Sequence, residues 1–597
     1  MKKKVFSILI IFALFLQILT PVSASVAETS DIEFLPIVND GLDYYPDGYE
    51  IPQYPVYNPG CTLSTAGAIP KAFDLRDSGS VTSVKNQGYS GNCWAFSSCA
   101  SLESNAIMQG LASADEIDFS EAHLVWFTKN PVSSDPDDNL CADGTNNTSP
   151  YKSGSNAPTV AVTLARRSGL ANESDYPFYP LDLSKMGNYP ESARYDSGSG
   201  YVFKSLYNYT SMTEVKTAIM STGAVMALYY HDDQYYNSTN SCHYHPTERT
   251  TDEGKTNHGI TVVGWNDSYP KENFNEANQP TADGAWLCKN SWSTSWGDGG
   301  YFWLSYEDKN LCEFYSFILT DESAYDYCYT YNGLAPAGNL SYSGKITVAN
   351  RYTAKRNENI NSVSFWIKQT GLTAEVKIYT GITDSNNPFN SDIAYTYTFT
   401  TDKLGLITFD LDDSIPLNKG ESFMAAITLT APSSSDKVIY PFERYENGYS
   451  ANDGESYFLI SNTLFDTYKS GNAGNAYINV QTSCRHSLTE QSVTASTCLE
   501  CGSSVSVCEQ CRKSFTETLP LGQHQFGEWV KILNPTAVNE GLSERVCAVC
   551  GFTESETEPM LSSNGHKEIY IDDLIEIIFE RLSVIIEAFF RLHLLRR

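Results

Sequence analysis

Residues 87–103 read QGYSGNCWAFSSCASLE, and the setting of Cys93 in this stretch decides what the chain can be. Gly91 and Asn92 end a turn, and Asn is a favoured helix N-cap. Ala95, Cys99, Leu102 and Ala106 then recur at helical spacing and predict one buried helix face. Cys93 falls in the first turn, where unpaired backbone N–H groups and the helix dipole favour an anion. A sulfur placed there is either a structural core thiol or a nucleophile whose thiolate the helix stabilises. The stretch alone leaves both open.

Two downstream segments bear on the choice. TNHGITVVGW (256–265) sets His258 ahead of a strand-like run, Ile260 to Trp265. GAWLCKNSWSTSWGDGGYFWLSY (284–306) sets Asn290 behind another, followed by Trp292, Trp296 and a glycine-rich turn. With IPKAFDLRDSGSVTSVKNQG (69–88), these segments resemble the papain family of cysteine proteases over about residues 70–320. The pattern is closest to divergent bacterial members that carry a lectin-like β domain.

The resemblance implies an α+β, two-lobed fold, with a helical lobe and a β-barrel-like lobe. It implies that Cys93 is the nucleophile, His258 the base, Asn290 the residue that orients the imidazole, and Gln87 an oxyanion donor. Trp292 would cover the His–Asn bond and border the substrate, and Gly154, in YKSGSNAP, would line the cleft. The implied reaction is peptide-bond hydrolysis by a thiolate–imidazolium pair through an acyl-thioester, with no catalytic cofactor.

The chain also departs from the family. Ser90 stands where a disulfide-forming cysteine is usual. His258 lies 165 residues after Cys93, and Asn290 a further 32 on. Polar insertions at 237–257 and 266–284 account for this spacing and are expected as surface loops near the cleft. His243 and His245, in CHYH, have only Cys242 beside them, too few ligands for a zinc site.

Export is the compartment the N-terminus predicts. Three lysines precede an apolar run from Val5 to Leu19 and small residues at Ser23, Ala24 and Ala27, as in a signal peptide (1–24) cleaved after Ala24 or Ala27. Residues 28–69 are acidic, tyrosine-rich and broken by prolines, a short prosegment or N-terminal extension. A formal charge of -31 over 597 residues argues against nucleic acid as a partner. Fifteen cysteines in an exported chain predict disulfides, with Cys93 the odd thiol; the pairing of Cys141, Cys242, Cys288, Cys312 and Cys328 stays open.

Beyond a peptidase region of 70–328, residues 331–482 alternate apolar and polar positions, as in Val363/Phe365/Ile367, Ile407/Phe409/Leu411 and Phe423/Ala425/Ile427/Leu429. They predict an all-β sandwich. Residues 484–560 form Cys-bearing repeats: a shift of 39 lays Gly502 on Gly541, Cys508 on Cys547 and Cys511 on Cys550. Cys498, Cys501, Cys508 and Cys511 are the expected ligands of a structural zinc, or else partners in disulfides. Residues 566–597 predict an amphipathic helix with a polar stripe at Glu576, Glu580, Ser583, Glu587 and Arg591, suited to a membrane surface or to self-association. Two functions are consistent with this layout. One is a secreted or surface cysteine endopeptidase, acting on protein or peptide substrates, whose β domain binds a glycan or cell-envelope ligand. The other is a catalytically idle surface adhesin.

Overall fold

The computed structural model describes residues 69–130, 150–250 (197 aside), 254–443 (334 and 337 aside), 451–469, 474–562 and 571–594, with a strand at Glu33–Pro36. The expected signal peptide, the rest of the 28–69 extension and Cys141 lie outside these residues. The chain forms two compact units, Met1–Arg485 and His486–Arg597.

The first unit is built around helix α1 (Cys93–Met108). One buried stripe was expected, but every position from Cys93 to Ala106 except Ala100 is buried. Structure covers this helix on all sides, so its polar side chains are satisfied internally. Ser98 Oγ donates to Trp94 O (2.7 Å), Ser101 Oγ to Ala224 O (2.7 Å) and Ser104 Oγ to Ser80 O (2.8 Å). Helices α2 (Glu121–Lys129) and α3 (Ala157–Ala165) pack on one side of it, with Leu102, Leu124, Val160 and Leu164 in a common core. Each starts at an N-cap side chain, Ser120 and Asn156, that accepts a first-turn N–H.

The other lobe is an antiparallel sheet. Its strands are β1 (Ala72–Asp74), β2 (Tyr201–Tyr209), β3 (Val225–Tyr229), β4 (His258–Asn266), β5 (Ala285–Lys289), β6 (Tyr301–Ser305) and β7 (Cys312–Asp321). They run in the order β2-β7-β3-β4-β5-β6, with β1 on β4. Helix α4 (Met212–Ser221), started by a Ser211/Glu214 capping box, places Val215 and Ile219 over Val225, Ile260 and Val262.

The β sandwich follows the alternation in the sequence. Strands β8 (Lys345–Thr353), β9 (Glu358–Ile367), β10 (Thr373–Thr380), β11 (Leu404–Leu417), β12 (Ser422–Thr430) and β13 (Ile478–Cys484) contribute Val363, Phe365, Ile367, Ile407, Phe423, Ala425, Ile427 and Leu429 to one core. Glu33–Pro36 pairs antiparallel with Gly338–Ser343 at its margin.

The sandwich is also continuous with the sheet of β1–β7. Strand β11 pairs with β2, Leu404 to Asn208 and Leu406 to Leu206, so one sheet runs through both parts. Gly405 makes this junction possible: its φ is +117°, and a Cβ there would sit 2.0 Å from Leu206 O. Trp366, on the face of β9 opposite the sandwich core, is only 6 % exposed. It packs with Leu406 and Tyr477 into the core around α1.

Two expectations are corrected. No disulfide joins any of the described cysteines; Cys99 and Cys288, for instance, are fully buried in separate apolar cores, where thiols fill space. The 237–257 and 266–284 insertions are not simple surface loops. Cys242, Tyr244, Tyr269 and Phe274 form a small core of their own, and the Asn237 and Asn240 amides both donate to Asn273 O.

In the second unit each repeat is a three-stranded antiparallel sheet. The first comprises Leu488–Thr494, Cys501–Cys508 and Ser514–Leu521; the second comprises Val530–Leu533, Gly541–Val546 and Thr553–Glu558. The expected Cys498/Cys501/Cys508/Cys511 group does not form. Cys508 and Cys511 gather with His486, Cys498 gathers with His524, Cys547 and Cys550, and exposed Cys501 belongs to neither group. The cause is register: Cys498 lies in a turn, while Cys501 opens the next strand and pairs with Leu521. Helix α5 (Ile571–Leu594) follows, with Ile578, Phe579 and Ile585 exposed. Among the described residues no helix is long and apolar enough to cross a membrane.

Two predictions follow from this packing. Trp366→Ala is expected to cost about 3–5 kcal/mol and to lower the melting of the α1 lobe and the sandwich together in one calorimetric transition; two separate transitions would refute the shared core. His123, on α2, donates from Nε2 to Ala193 O (2.7 Å), and burial pushes its pKa down to about 4. The unfolded chain protonates near pH 6.5 and the folded one does not, so this contribution is complete above that pH and declines as pH falls toward 4. His123→Gln should flatten the acid side of a urea-stability profile by about 1.4 kcal/mol per pH unit.

Candidate active site

Cys93 is the first residue of α1 and 4 % exposed. Its sulfur is approached by the backbone N–H groups of Gly259, Trp94 and Cys93 itself, so the residue next to His258 closes over the thiol. Asn92 occupies the N-cap position but makes no side-chain cap. Its amide turns the other way and donates to Pro150 O and Ser153 O, both at 3.2 Å. Trp94 Nε1 also donates to Ser153 O (3.0 Å). These three bonds hold the loop that carries Gly154 against the start of α1. The N–H groups of Cys93 and Trp94 are thereby left to the sulfur, while those of Ala95 and Phe96 donate to Asn92 O (2.9 and 3.3 Å).

His258 opens β4 opposite Tyr229. Its Nε2–H donates to Asn290 Oδ1 (2.8 Å), and Ser291 N–H donates to the same oxygen (2.7 Å). Two donors fix which end of the Asn290 amide faces the ring, and Nδ1 is then the nitrogen with a free lone pair. Trp292 stacks on the His258 ring at 4.4 Å and 27°, covering the bond. Gln87 is held from both ends: Ser291 Oγ donates to its Oε1 (2.6 Å) and its Nε2 donates to Ser90 O (2.9 Å). Gln87 N–H donates to Ser291 O (2.7 Å). Ser90, in place of a disulfide cysteine, thus takes part in a loop braced by hydrogen bonds.

Gln87, Cys93, His258, Asn290 and Trp292 are therefore brought together, with Gly154 on the adjoining loop. Three contributors carried no sequence signal. Ser291 joins the Gln87 loop to the Asn290 turn. His231 sits edge-on to Trp292 at 4.9 Å, and its Nδ1 accepts from Tyr229 Oη–H (2.8 Å). Lys85, two residues before Gln87, bonds Glu103 of α1 (3.0 Å), Glu121 of α2 (2.8 Å) and Phe119 O (2.9 Å). Burial would discharge Lys85, but Glu103 and Glu121 outweigh it and hold its pKa well above the usual range.

The electrostatics of the pair follow from dryness. Burial drives the Cys93 thiol up to about 11, against the three N–H groups that favour its thiolate. Burial also pushes the His258 imidazole down to about 3, with Asn290 opposing and His231 assisting. Neither charge is stable alone. Burial thus disfavours the charged form of each side chain.

Residues 69–322 match the papain family cysteine protease profile and residues 327–482 the lectin-like domain profile. Residues 69–322 thus belong to the papain family of cysteine proteases, followed at 327–482 by a lectin-like domain. Among solved structures the chain is similar to the cysteine protease and lectin-like domains of Cwp84, a surface layer associated protein of Clostridium difficile. That match has 25 % identity and a TM-score of 0.60 and covers 76 % of this chain and 98 % of that one. Among curated relatives it is 28 % identical over 241 residues to a cysteine protease of Blomia tropicalis and 28 % over 250 residues to cathepsin L of Sarcophaga peregrina. The matched region spans 62 % and 61 % of those two proteins and 40 % and 41 % of this chain.

The geometry predicts how the thiol reacts. Asn290→Ala releases the imidazole and should slow iodoacetamide alkylation of Cys93 at pH 7 about tenfold, the worth of one hydrogen bond of ~1.4 kcal/mol. An unchanged rate would show that Asn290 does not control the ring.

Proposed function

We propose that the chain is an exported cysteine endopeptidase whose lectin-like domain holds it beside a glycan or cell-envelope ligand. The observation that carries this reading is the linked set formed by Cys93 at the head of α1, the His258–Asn290 bond under Trp292, and Gln87 braced by Ser291. His258 Nδ1 takes the Cys93 proton as the sulfur attacks the scissile carbonyl. Asn290 keeps the tautomer and plane of the ring. The second N–H of Gln87 Nε2 and the Cys93 backbone N–H face the oxyanion. The ring then protonates the leaving amine, and water, deprotonated by the same nitrogen, releases the acyl-thioester.

In this reading residues 1–24 direct export, 70–328 cleave, 331–482 bind, and 484–560 act as a spacer. The surface-layer association of Cwp84 supports an extracellular or cell-surface site for this chain too. The exposed Ile578, Phe579 and Ile585 of α5 support contact with a membrane surface or a second copy.

Under reducing conditions an epoxysuccinyl thiol reagent should label Cys93, and Cys93→Ser should abolish both labelling and cleavage of a peptide library read by mass spectrometry. Gln87→Ala should lower kcat/KM about 100-fold, ~3 kcal/mol. A folded wild-type chain that resists labelling at Cys93 would sink the enzyme and favour the idle adhesin.

A further inference from the structure

The repeats of the second unit pose a problem of stability. Among the described residues of that unit, Cys508 and Cys547 are the only buried apolar side chains. Sheets of three short strands without a core do not hold together in water; small modules need a cross-link or a metal. The cysteines occupy the place where a core would be.

We propose that Cys498, His524, Cys547 and Cys550 bind Zn2+ tetrahedrally and that this ion clamps the two repeats together. One ligand atom from each lies within 4.8 Å of the others. Cys498 Sγ is 3.6 Å from Cys547 Sγ, and His524 Nδ1 is 3.1 Å from Cys550 Sγ. A disulfide brings sulfurs to about 2.05 Å, whereas two thiolates on one tetrahedral zinc, with Zn–S of about 2.3 Å, stand about 3.8 Å apart. The set is Cys3His, with donors suited to zinc.

The local backbone is built to present sulfur. Cys547 N–H donates to Phe552 O (2.8 Å), Gly551 N–H to Cys547 O (3.0 Å) and Phe552 N–H to Cys550 Sγ (3.4 Å). This turn needs a left-handed residue after the second cysteine, and Gly551 supplies it at φ +74°. The first repeat makes the same turn: Cys508 N–H donates to Lys513 O and Arg512 N–H to Cys508 O, both at 3.0 Å. There the left-handed position is taken by Arg512 (φ +63°), which a side chain adopts only at a cost. The His524 ring is held in plane by Phe552, stacked at 4.8 Å and 18°.

The origin of the fourth ligand makes this a clamp. His524 precedes the 547/550 pair as His486 precedes the 508/511 pair, and His486 Nδ1 lies 3.4 Å from Cys511 Sγ. Two residues before its own histidine the second repeat has Gly522, which offers no ligand. Its missing sulfur is supplied by Cys498, from the turn between Leu488–Thr494 and Cys501–Cys508 of the first repeat. The three other ligands come from the linker and the second repeat.

The test uses the full chain, purified without chelator, with zinc measured by plasma mass spectrometry. Cys498→Ser and His524→Ala should each remove one equivalent of zinc per chain. Cys501→Ser should remove none, although it shares the CxxC spacing. His524→Cys should restore the equivalent and guards against mere misfolding. Co2+ loaded in place of zinc should show the visible bands of a tetrahedral thiolate site, weakened by Cys498→Ser. A wild-type chain without zinc overturns the proposal, as does zinc content indifferent to Cys498 and His524. A disulfide among Cys498, Cys547 and Cys550 on peptide mapping would also overturn it.

Discussion

Enclosure of α1 is the constraint from which the rest follows. A helix covered on all sides has to satisfy its polar groups within the protein. The serines do so by donating to carbonyls of the helix and its neighbours, and Glu103 does so through Lys85. Because Lys85 stands two residues before Gln87, the same ion pair that neutralises the helix carboxylate also positions the loop beside Cys93. Lys85 also reaches Glu121 of α2, so the helical lobe, the central helix and the Gln87 loop share one anchor.

Enclosure also sets the chemistry. A dry site disfavours isolated charge, and here it acts on both partners, raising the thiol and lowering the imidazole. What opposes it is fixed and local: N–H groups at the head of α1, the Gly259 amide, and the Asn290 carbonyl. Trp292 and the Tyr229–His231 pair keep water away from the ring and narrow its motion. Preorganised dipoles of this kind stabilise charge that forms during a reaction without reorganising. That is why Ser291, which touches neither sulfur nor imidazole, is central: it orients the Asn290 and Gln87 amides together.

The two units answer the same stability problem by different means. The first fuses two folds through a continuous sheet and a shared core, with Trp366 and Gly405 making the junction. The second has almost no apolar interior among its described residues, and its buried apolar side chains are the sulfurs of Cys508 and Cys547. Aromatic-rich insertions behave like the first unit in miniature, since Cys242, Tyr244, Tyr269 and Phe274 gave their loops enough apolar surface to fold.

The sequence by itself determined the elements whose chemistry is local. Cys93 at a helix start, His258 ahead of a strand and Asn290 behind one were legible because each lies in a short motif with its own period. The sandwich strands were legible because a half-buried strand must alternate. The tertiary structure alone decided what depends on register between distant segments. It placed Ser291 between two amides, His231 against Trp292, Trp366 in a neighbour's core, and Cys498 with Cys547 instead of Cys501. The physical reason is common to all four: spacing along a chain fixes which face a side chain takes, but the partner on that face is set by which strands and turns pack against it.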